Sequence, residues 1–376
     1  MPRKTNFTAN GNDYFRVTAT VGKNADGSPI RKQFYGSSKK EAESKRDEYL
    51  NGIRQGLTVG YDKTTFGVAF KHWLEHVQRP AIRISTYTKY ETLHRLHIAT
   101  GSLVGMCLID IKAANIQEYY YAMLKTTTAK NVYHVNKLLA VFFKYCLEDN
   151  IIIRNPLLAV KLPEIPKSTD TNTALTDADI QKLVAACKED IKYFPFVFAT
   201  FTGLRSGELL ALTFKDLDFK EGMINVNKTV KYLNVDGEFK PLVSEAKTVA
   251  SMRRVPILKE IQGLLQAHIQ NIRQANKILS ITGDFLLFPS ATGTYREHCN
   301  FLQAFKRLCA RLGIEEGCTI HSLRHTFCTI LARQGVSLLD ASRLMGHSNV
   351  NITAKIYSHV SDNEKKSAIQ KLAAYF

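Results

Sequence analysis

The chain has 376 residues, 45% hydrophobic and 23% charged, without the run of about 18 apolar residues that predicts a transmembrane helix. Its length exceeds that of one ordinary hydrophobic core, which predicts two or three domains. The N-terminal residues form no apolar signal core, and the seven scattered cysteines show neither a CxxC pair nor metal-ligand spacing. We therefore expect a cytoplasmic protein with reduced thiols and no bound metal.

The balance of charge is strongly positive. Lys and Arg number 51 against 34 Asp and Glu, a formal net charge of +17. The excess is spread along the chain and is not confined to a tail, so a polyanion that touches every part would account for it. DNA or RNA is the leading candidate, and the alternative is a soluble protein that is merely basic.

Residues 1–58 are predicted to form a small α+β unit. Alternating apolar and polar residues indicate a strand over 13–22, a turn at 24–27 and a second strand over 30–36. A charged helix over 39–56 completes what we expect to be a three-stranded sheet with one helix. Three basic residues of the sheet suit contact with DNA phosphates, or alternatively with solvent: Arg16, Arg31 and Lys32.

Residues 62–161 are predicted to form a helical domain. Apolar residues recur at three-to-four spacing in four segments: 64–78, 84–99, 113–125 and 129–149. The last segment has the clearest apolar stripe, formed by Val132, Val135, Leu138, Leu139, Phe142, Phe143 and Cys146. Its aromatic residues indicate a core more than a surface on which bases stack.

The third part of the chain is predicted to be mostly helical. A polar, proline-bearing linker covers 162–173, and the third part follows over 174–376. Within it, 223–232 and 251–257 are predicted to be strands of a small sheet. The tail, 361–376, is amphipathic, so its apolar face is expected to pack on its own domain or on a neighbouring protomer.

Four stretches of the third part place a cation or a proton carrier among apolar or small residues: TGLRSGELLAL, SEAKTVASMRRVPI, HSLRHTF and GHSNVNITAKIYSHV. In the first, Arg205 precedes a strongly apolar helix and should lie near its start. In the third, His321 and Arg324 are three residues apart and therefore share a helix face. In the fourth, His347 follows Gly346 at the end of a predicted helix.

Taken in chain order, these residues resemble those of the tyrosine recombinase (phage integrase) family. The shared pattern is Arg, Lys, His-x-x-Arg, His and Tyr, closing with GH-x9-Y, and it covers the whole third part. The resemblance implies a multidomain, mainly α fold. Its parts would be a small α+β N-terminal arm-binding domain, an α-helical core-binding bundle, and a mostly α catalytic domain with a small β-sheet.

The same resemblance implies a site-specific DNA recombinase that integrates and excises a mobile element or prophage. Its nucleophile attacks a DNA phosphodiester and leaves a 3′-phosphotyrosine, and exchange then proceeds through a Holliday junction. No net high-energy bond is spent, so neither ATP nor another cofactor is required. The catalytic residues implied are the nucleophile Tyr357 with Arg205, Lys247, His321, Arg324 and the hydrogen-bond donor His347.

The chemistry of these side chains agrees with those roles. A tyrosine with an ordinary pKa near 10 is a poor nucleophile at neutral pH, so Tyr357 needs a proton acceptor and a stabilised phosphate. Arg205 and Arg324 can each hold non-bridging oxygens and offset the charge that develops on them. Lys247, on a predicted hairpin turn, suits a general acid for the departing 5′-oxygen, and His321 suits proton transfer.

Several assignments keep an alternative. Arg205 could instead cap a carboxylate, and Lys247 has basic neighbours that include two candidates for DNA phosphate contact, Arg253 and Arg254. Glu208, one turn after Arg205, is expected to orient an arginine or histidine and to take no part in the chemistry itself.

Other enzyme classes fit less well. HSLRH has two histidines four apart but no glutamate as in HExxH, and no GxxxxGK[ST] motif predicts a P-loop. The neighbouring His325 and His359 are expected to be packed or hydrogen-bonded. The rival functions are a resolvase, a topoisomerase-like relaxing enzyme, or a non-catalytic DNA-binding regulator.

The expected partners also follow from the resemblance. They are double-stranded DNA with core and arm attachment sites, three further copies of the chain in a homo-tetramer, and an excisionase or host DNA-bending protein. The expected location is the nucleoid of a bacterial cytoplasm, with no membrane contact. Gly346 and the polar turn after it predict that the last short helix can swing and so gate Tyr357.

Overall fold

The computed structural model describes residues 6–9, 12–23, 28–54, 63–165, 174–235, 237–245, 252–276, 283–315 and 317–357. The chain divides into two compact units, 1–167 and 168–376. The division falls within the predicted linker. The finer boundary near residue 60 and the separate roles of the first two domains stay predictions.

The N-terminal part of the first unit is a three-stranded antiparallel sheet followed by one helix. Its elements are β1 (Phe7–Ala9), β2 (Asn12–Lys23), β3 (Pro29–Gly36) and α1 (Lys39–Arg54). The strand order is β1-β2-β3, and Phe15 pairs with Gly36 at one end of the β2–β3 ladder. The sheet and helix confirm the predicted elements, while the predicted turn at 24–27 lies outside the described residues.

The basic residues proposed for DNA contact on this sheet differ in environment. The Arg16 guanidinium lies 4.9 Å from the centre of the Phe7 ring, and Lys32 Nζ lies 3.9 Å from that of Tyr49. Both cations therefore rest on aromatic faces, an arrangement that holds the charge in place. Arg31 is exposed. Contact of these three residues with DNA stays a prediction.

The rest of the first unit is helical, as predicted. Its helices are α2 (Phe66–His72), α3 (Arg79–Ala81), α4 (Ile84–Leu93), α5 (Ala113–Leu124) and α6 (Ala129–Glu148). π-helical turns at Trp73–Gln78 and His94–Ile98 extend α2 and α4 over most of the predicted segments. Every member of the predicted apolar stripe on α6 is buried, and Phe66, Phe70 and Phe142 pack ring to ring. The aromatic residues are thus core.

The second unit contains eight described helices. They are α7 (Asp177–Glu189), α8 (Phe194–Thr202), α9 (Ser206–Leu209), α10 (Lys259–Asn276), α11 (His298–Leu312), α12 (Ile320–Arg333), α13 (Leu338–Met345) and α14 (Val350–Tyr357). The apolar α8 is buried along its length and packs against α12. This packing brings the residues just after α8 beside the middle of α12, where the candidate site forms.

The strands of the second unit correct the sequence prediction. β4 (Leu217–Asp218), β5 (Met223–Val226) and β8 (Arg253–Pro256) form one sheet, and β6 (Lys228–Val235) with β7 (Glu238–Glu245) forms a separate hairpin. The single strand predicted over 223–232 is therefore wrong, because the chain leaves one sheet for another at Asn227. β7 was not predicted. It contains Pro241, which a two-stranded ribbon tolerates because both of its strands are edges.

The cysteines and the lengths of the apolar helices can be compared with the expectations of reduced thiols and of no transmembrane helix. All seven cysteines are free thiols, and five of them are buried. In the parts of the chain that the structure describes, no helix is both long and apolar enough to span a bilayer.

Candidate active site

Arg205 and Glu208 lie at the turn that follows the buried helix α8. Gly203 ends α8 with a φ of +62°, and Arg205 is the N-cap residue of α9. The Glu208 carboxylate accepts the Arg205 backbone N–H at 2.9 Å and its Nη1 at 2.8 Å. The predicted helix start is confirmed. The prediction of a strongly apolar helix after it is wrong, because α9 has four residues and the following leucines enter the core in a tight turn.

Arg324 occupies the centre of the site on α12. Its side chain is 2% exposed, and it donates hydrogen bonds to the carbonyl of Gly203 at 2.6 Å and to that of Met345. Burial lowers the pKa of Arg324 to about 9, with the Arg205 charge adding to the effect. Arg324 is therefore still protonated at neutral pH, and its cation is fixed in position before any phosphate arrives.

Three consecutive carbonyls at the end of α13 each accept from a different arginine. Leu344 O accepts from Arg253 Nε at 2.7 Å, Met345 O from Arg324 Nη2, and Gly346 O from Arg205 Nη2 at 2.9 Å. The last carbonyls of a helix have no partner within the helix and carry its negative dipole end. The C-terminus of α13 thus gathers three guanidinium groups from three other elements.

Glu208 is the anion that balances this cluster. It is 6% exposed and pairs with Arg205 and with Arg253, whose Nη2 lies 2.9 Å from Glu208 Oε2. Burial alone would raise the pKa of Glu208, but the hydrogen bond and charge of Arg253 and the contacts of Arg205 outweigh it, so the pKa is lowered. Glu208 is ionised at neutral pH and orients two arginines, in line with its predicted role.

The adjacent arginines of β8, both predicted to contact DNA, lie in opposite environments. The Arg253 side chain is 6% exposed and fully engaged with Glu208 and Leu344, a position that argues against direct phosphate contact. Arg254 is 52% exposed and pairs with Asp218, so its contact with DNA stays a prediction. Strand alternation explains the difference, because residue 253 shares the inner face with buried Val255.

His321 lies one turn before Arg324, at the start of α12. Burial lowers its pKa, and the charges of Arg324 and Arg205 act in the same direction. The imidazole is therefore neutral at pH 7 and able to accept a proton. His325 lies behind it, with the two ring centres 5.9 Å apart, which fits the packed role expected for that residue.

His347 follows the C-cap of α13 and meets α14. Its Nδ1 lies 2.9 Å from the Thr353 hydroxyl, which is fully buried. Burial and the charges of Arg324, Arg205 and Arg253 lower the pKa of His347 to about 4. A neutral imidazole has one N–H, so a hydroxyl that donates to Nδ1 leaves Nε2 as the donor. Sequence reasoning did not foresee this use of Thr353.

Tyr357 lies at the end of α14 and is half-buried. Its hydroxyl donates a hydrogen bond to the Val336 carbonyl at 3.1 Å. Burial raises the pKa of Tyr357 to about 12, and Cys328 and Asp340 add to the rise. The phenol is protonated and held on a backbone oxygen between α12 and α13.

A cleft of about 680 Å³ opens over the arginines. The described residues that line it include Arg205, His321 and Arg324, together with Arg296, whose Nε donates to Pro289 O at 2.7 Å. Arg253, His347 and Tyr357 are described but are not among the lining residues. The structure thus brings the arginines and both histidines together and leaves the tyrosine hydroxyl outside the cleft. Lys247 and His359 lie outside the described residues.

Comparison with known proteins places this arrangement in a family. The model of the phage integrase family matches residues 173–364. The XerC-like tyrosine recombinase of Caldanaerobacter subterraneus subsp. tengcongensis is 34% identical over 392 residues, covering 100% of both chains. The transposase from transposon Tn916 of Enterococcus faecalis is 26% identical over 340 residues, covering 86% of this chain and 81% of its own.

A solved structure agrees with the sequence matches. The Tn1549 transposon integrase in complex with transposon right end DNA superposes with a TM-score of 0.68 at 26% identity. The alignment covers 82% of this chain and 100% of that one. Together these matches show that the chain belongs to the phage integrase family, and that it is a tyrosine-type site-specific DNA recombinase with a mainly α, multidomain fold.

Proposed function

We propose that this chain cleaves one strand of a core attachment site with Tyr357 and rejoins it to another duplex, integrating and excising a mobile element or prophage. The observation that best supports the residue assignment is the cluster of Arg205, Arg324 and His321 at one cleft, with Tyr357 on α14, which packs against α12. Two fixed guanidinium groups beside a neutral imidazole suit a phosphodiester whose charge increases during attack.

Strand cleavage exchanges one phosphate ester bond for another. The Tyr357 Oη–phosphorus bond forms while the bond from phosphorus to the 5′-oxygen breaks, giving a 3′-phosphotyrosine and a free 5′-hydroxyl. His321 accepts the phenol proton, since its lowered pKa keeps the imidazole neutral at pH 7. Lys247 supplies the proton that the departing 5′-oxygen needs. Rejoining reverses these transfers with a 5′-hydroxyl from the other duplex, through a Holliday junction.

Arg205 and Arg324 hold the non-bridging oxygens in this scheme. Both line the cleft, but the Arg205 side chain is 39% exposed whereas Arg324 is 2% exposed. His347 donates from Nε2 to the phosphate while Thr353 occupies Nδ1. Tyr357 leaves the Val336 carbonyl to reach the phosphorus, and the turn after Gly346 supplies the movement.

The same proposal extends to partners. The basic sheet at the N-terminus binds arm sites, and the helical bundle with the catalytic unit binds core sites. Four copies assemble on two duplexes, and an excisionase or a host DNA-bending protein sets the direction of exchange in the bacterial nucleoid. The net charge of +17 supports contact with DNA along the whole chain.

Trapping the covalent intermediate tests this proposal. A core-site duplex nicked next to the cleavage position loses its 5′-hydroxyl fragment, so wild type should accumulate a protein–DNA adduct that survives denaturation. Tyr357→Phe should form none, whereas the control Tyr193→Phe, at a half-buried ring beside Arg311, should match wild type. An adduct formed by Tyr357→Phe would assign the nucleophile elsewhere, and no adduct with wild type would refute the proposed reaction.

A further inference from the structure

One of the three arginines that hold the end of α13 lies away from the cleft. Arg205 and Arg324 line it, while Arg253, also described, is absent from its lining. We propose that Arg253 is a positioning residue: it ties Glu208 to the C-terminus of α13 and so fixes Arg205 and the His347 segment for strand cleavage without touching DNA. The inference rests on the proposed function, because it assigns a role in the same reaction.

The contacts of Arg253 join two segments that are far apart in sequence. Its Nη2 and Nη1 lie 2.9 and 3.3 Å from the two carboxylate oxygens of Glu208, a two-point pairing. Its Nε donates to the Leu344 carbonyl at 2.7 Å. A planar fork with donors on three nitrogens can make all these bonds at once, which a lysine ammonium on a flexible stem cannot reproduce. Arg253 is therefore suited to hold Glu208 against α13.

Gly346 provides an independent indication of the same role. A Cβ at this position would lie 2.8 Å from Arg253 Nη1 and 3.0 Å from its Cδ. The residue also has a φ of +64°, which disfavours other residues. The Arg253 side chain thus packs directly on the residue whose carbonyl holds Arg205 and whose neighbour is His347. The segment from Gly346 to α14, which carries Tyr357, therefore begins at a residue that Arg253 contacts.

Charge links Arg253 to Arg205 through Glu208. The charged groups that face the Glu208 carboxylate are Arg205 beside it, Arg253 from β8 and Arg324 from α12. Glu208 must be ionised to hold the Arg205 guanidinium by Nη1. Burial raises the pKa of Glu208, and the charge and hydrogen bond of Arg253 oppose that effect. Without Arg253, the pKa of Glu208 would therefore rise. The hydrogen bond that anchors Arg205 would then weaken as the pH falls.

Rates and affinities measured separately test this role. Arg253→Gln and Arg253→Lys would be compared by single-turnover adduct formation on the nicked core-site duplex at saturating DNA, and by titration for Kd. We expect Arg253→Gln to lose about 100-fold in rate, the size of effect that a misplaced catalytic group produces. Kd should change by less than about twofold, because no phosphate contact is removed. The lysine variant should lose rate to a smaller extent.

The pH profile separates positioning from general destabilisation. Between pH 8.5 and 6, Arg253→Gln should lose rate more steeply than wild type towards low pH, because its Glu208 takes up a proton. In a double variant that combines Arg253→Gln with Glu208→Gln, this extra dependence of the rate on pH should disappear. A variant that was only less stable would keep the wild-type profile at a temperature where it is folded.

Two further arginine variants serve as controls for the effect of Arg253→Gln on rate and on DNA binding. Arg333→Gln, at an exposed arginine paired with Asp177, should match wild type in rate and Kd. Arg254→Gln, on the exposed face of the same strand, should weaken DNA binding and reduce the dependence of Kd on salt, in contrast to Arg253→Gln.

Each outcome is decisive for Arg253. The proposal is overturned if Arg253→Gln weakens DNA binding as much as it slows cleavage, or if its pH profile matches wild type. If the glutamine variant does not fold, the lysine variant decides the question: a folded Arg253→Lys with the full wild-type rate refutes the role. Failure of wild type itself to form the adduct would instead refute the proposed reaction, so the two failures are distinguishable.

Discussion

The two halves of the site differ in how far they are prepared for reaction. The arginine side, formed by Arg205, Glu208, Arg253 and Arg324, is held by ion pairs and by three carbonyls of one helix end. The polar contacts of the tyrosine side, formed by α14 and Tyr357, include the hydrogen bond from the Tyr357 hydroxyl to the Val336 carbonyl and the contact between Thr353 and His347. In the proposed reaction, the phosphate-binding arginines are therefore preorganised, whereas the proposed nucleophile Tyr357 has to move.

In the proposed reaction, this difference would delay cleavage until Tyr357 enters the cleft. Preorganised cations reduce the barrier without reorganisation during the reaction. A nucleophile that starts outside the cleft adds a step that DNA binding or assembly has to drive. The expected gating by the turn after Gly346 stays a prediction, and the following variants test each side in turn.

The largest effect is expected on the arginine side. Arg324→Lys keeps a charge but cannot hold both Gly203 O and Met345 O while engaging a phosphate. Single-turnover cleavage should fall by about 10³-fold, the size of effect found when one donor to a developing oxyanion is removed. Arg311→Lys, on α11 beside Tyr193, serves as the control and should cleave normally. A rate within tenfold of wild type would show that the arginine side does not depend on this fixed geometry.

The junction of the two sides should show a smaller effect. Gly346→Ala and Gly313→Ala both place alanine at a helix C-cap with a φ near +60°, but only Gly346 is crowded by Arg253. Each should lose about 1–2 kcal/mol of unfolding free energy, measured by urea unfolding. Gly346→Ala should in addition lose about tenfold in cleavage rate through displacement of the α13 carbonyls. Equal cleavage rates for the two variants would show that the Arg253 contact is not coupled to catalysis.

On the tyrosine side, Thr353→Val tests the hydrogen bond that we propose sets the His347 tautomer. The two side chains have similar shape, so the main change is loss of the hydroxyl on Nδ1. Cleavage should fall about fivefold, corresponding to one hydrogen bond worth about 1 kcal/mol. Thr200→Val removes a buried hydroxyl from Phe196 O in α8 and should change stability without this loss of rate. An unchanged rate in Thr353→Val would remove the proposed use of His347 Nε2.

The smallest effect concerns pH. The base role proposed for His321 requires a neutral imidazole, and burial with neighbouring arginines holds its pKa below the ordinary 6.5. Protonation therefore sets in only at lower pH, and the wild-type rate should change less than about twofold between pH 7.5 and 6.5 and then fall. His321→Gln should lower the rate and remove the acid decline. A decline centred at or above pH 6.5 in wild type would contradict the neutral imidazole.

Local pattern was sufficient for the helices and for several site residues. Three-to-four spacing predicted α6 and its buried stripe, and the sequence around Gly203 predicted the start of a helix at Arg205. The same reasoning failed at β6 and β7, since a change of sheet at Asn227 and an edge strand containing Pro241 depend on which neighbour each strand meets. The short length of α9 was also not predicted. The leucines that follow it are buried in the core from a turn, and their apolar pattern was interpreted as the face of a longer helix.

The sequence by itself determined which chemistry the chain carries. The order of Arg205, His321, Arg324, His347 and Tyr357 identified the family, because side-chain chemistry and spacing can be read without coordinates. Only the tertiary structure decided what each cation faces. In the folded chain Arg253 is buried while Arg254 is exposed. Three arginines donate hydrogen bonds to three consecutive carbonyls, and the Tyr357 hydroxyl donates to Val336 O. Those contacts join residues up to 141 positions apart, and no local pattern encodes such pairings.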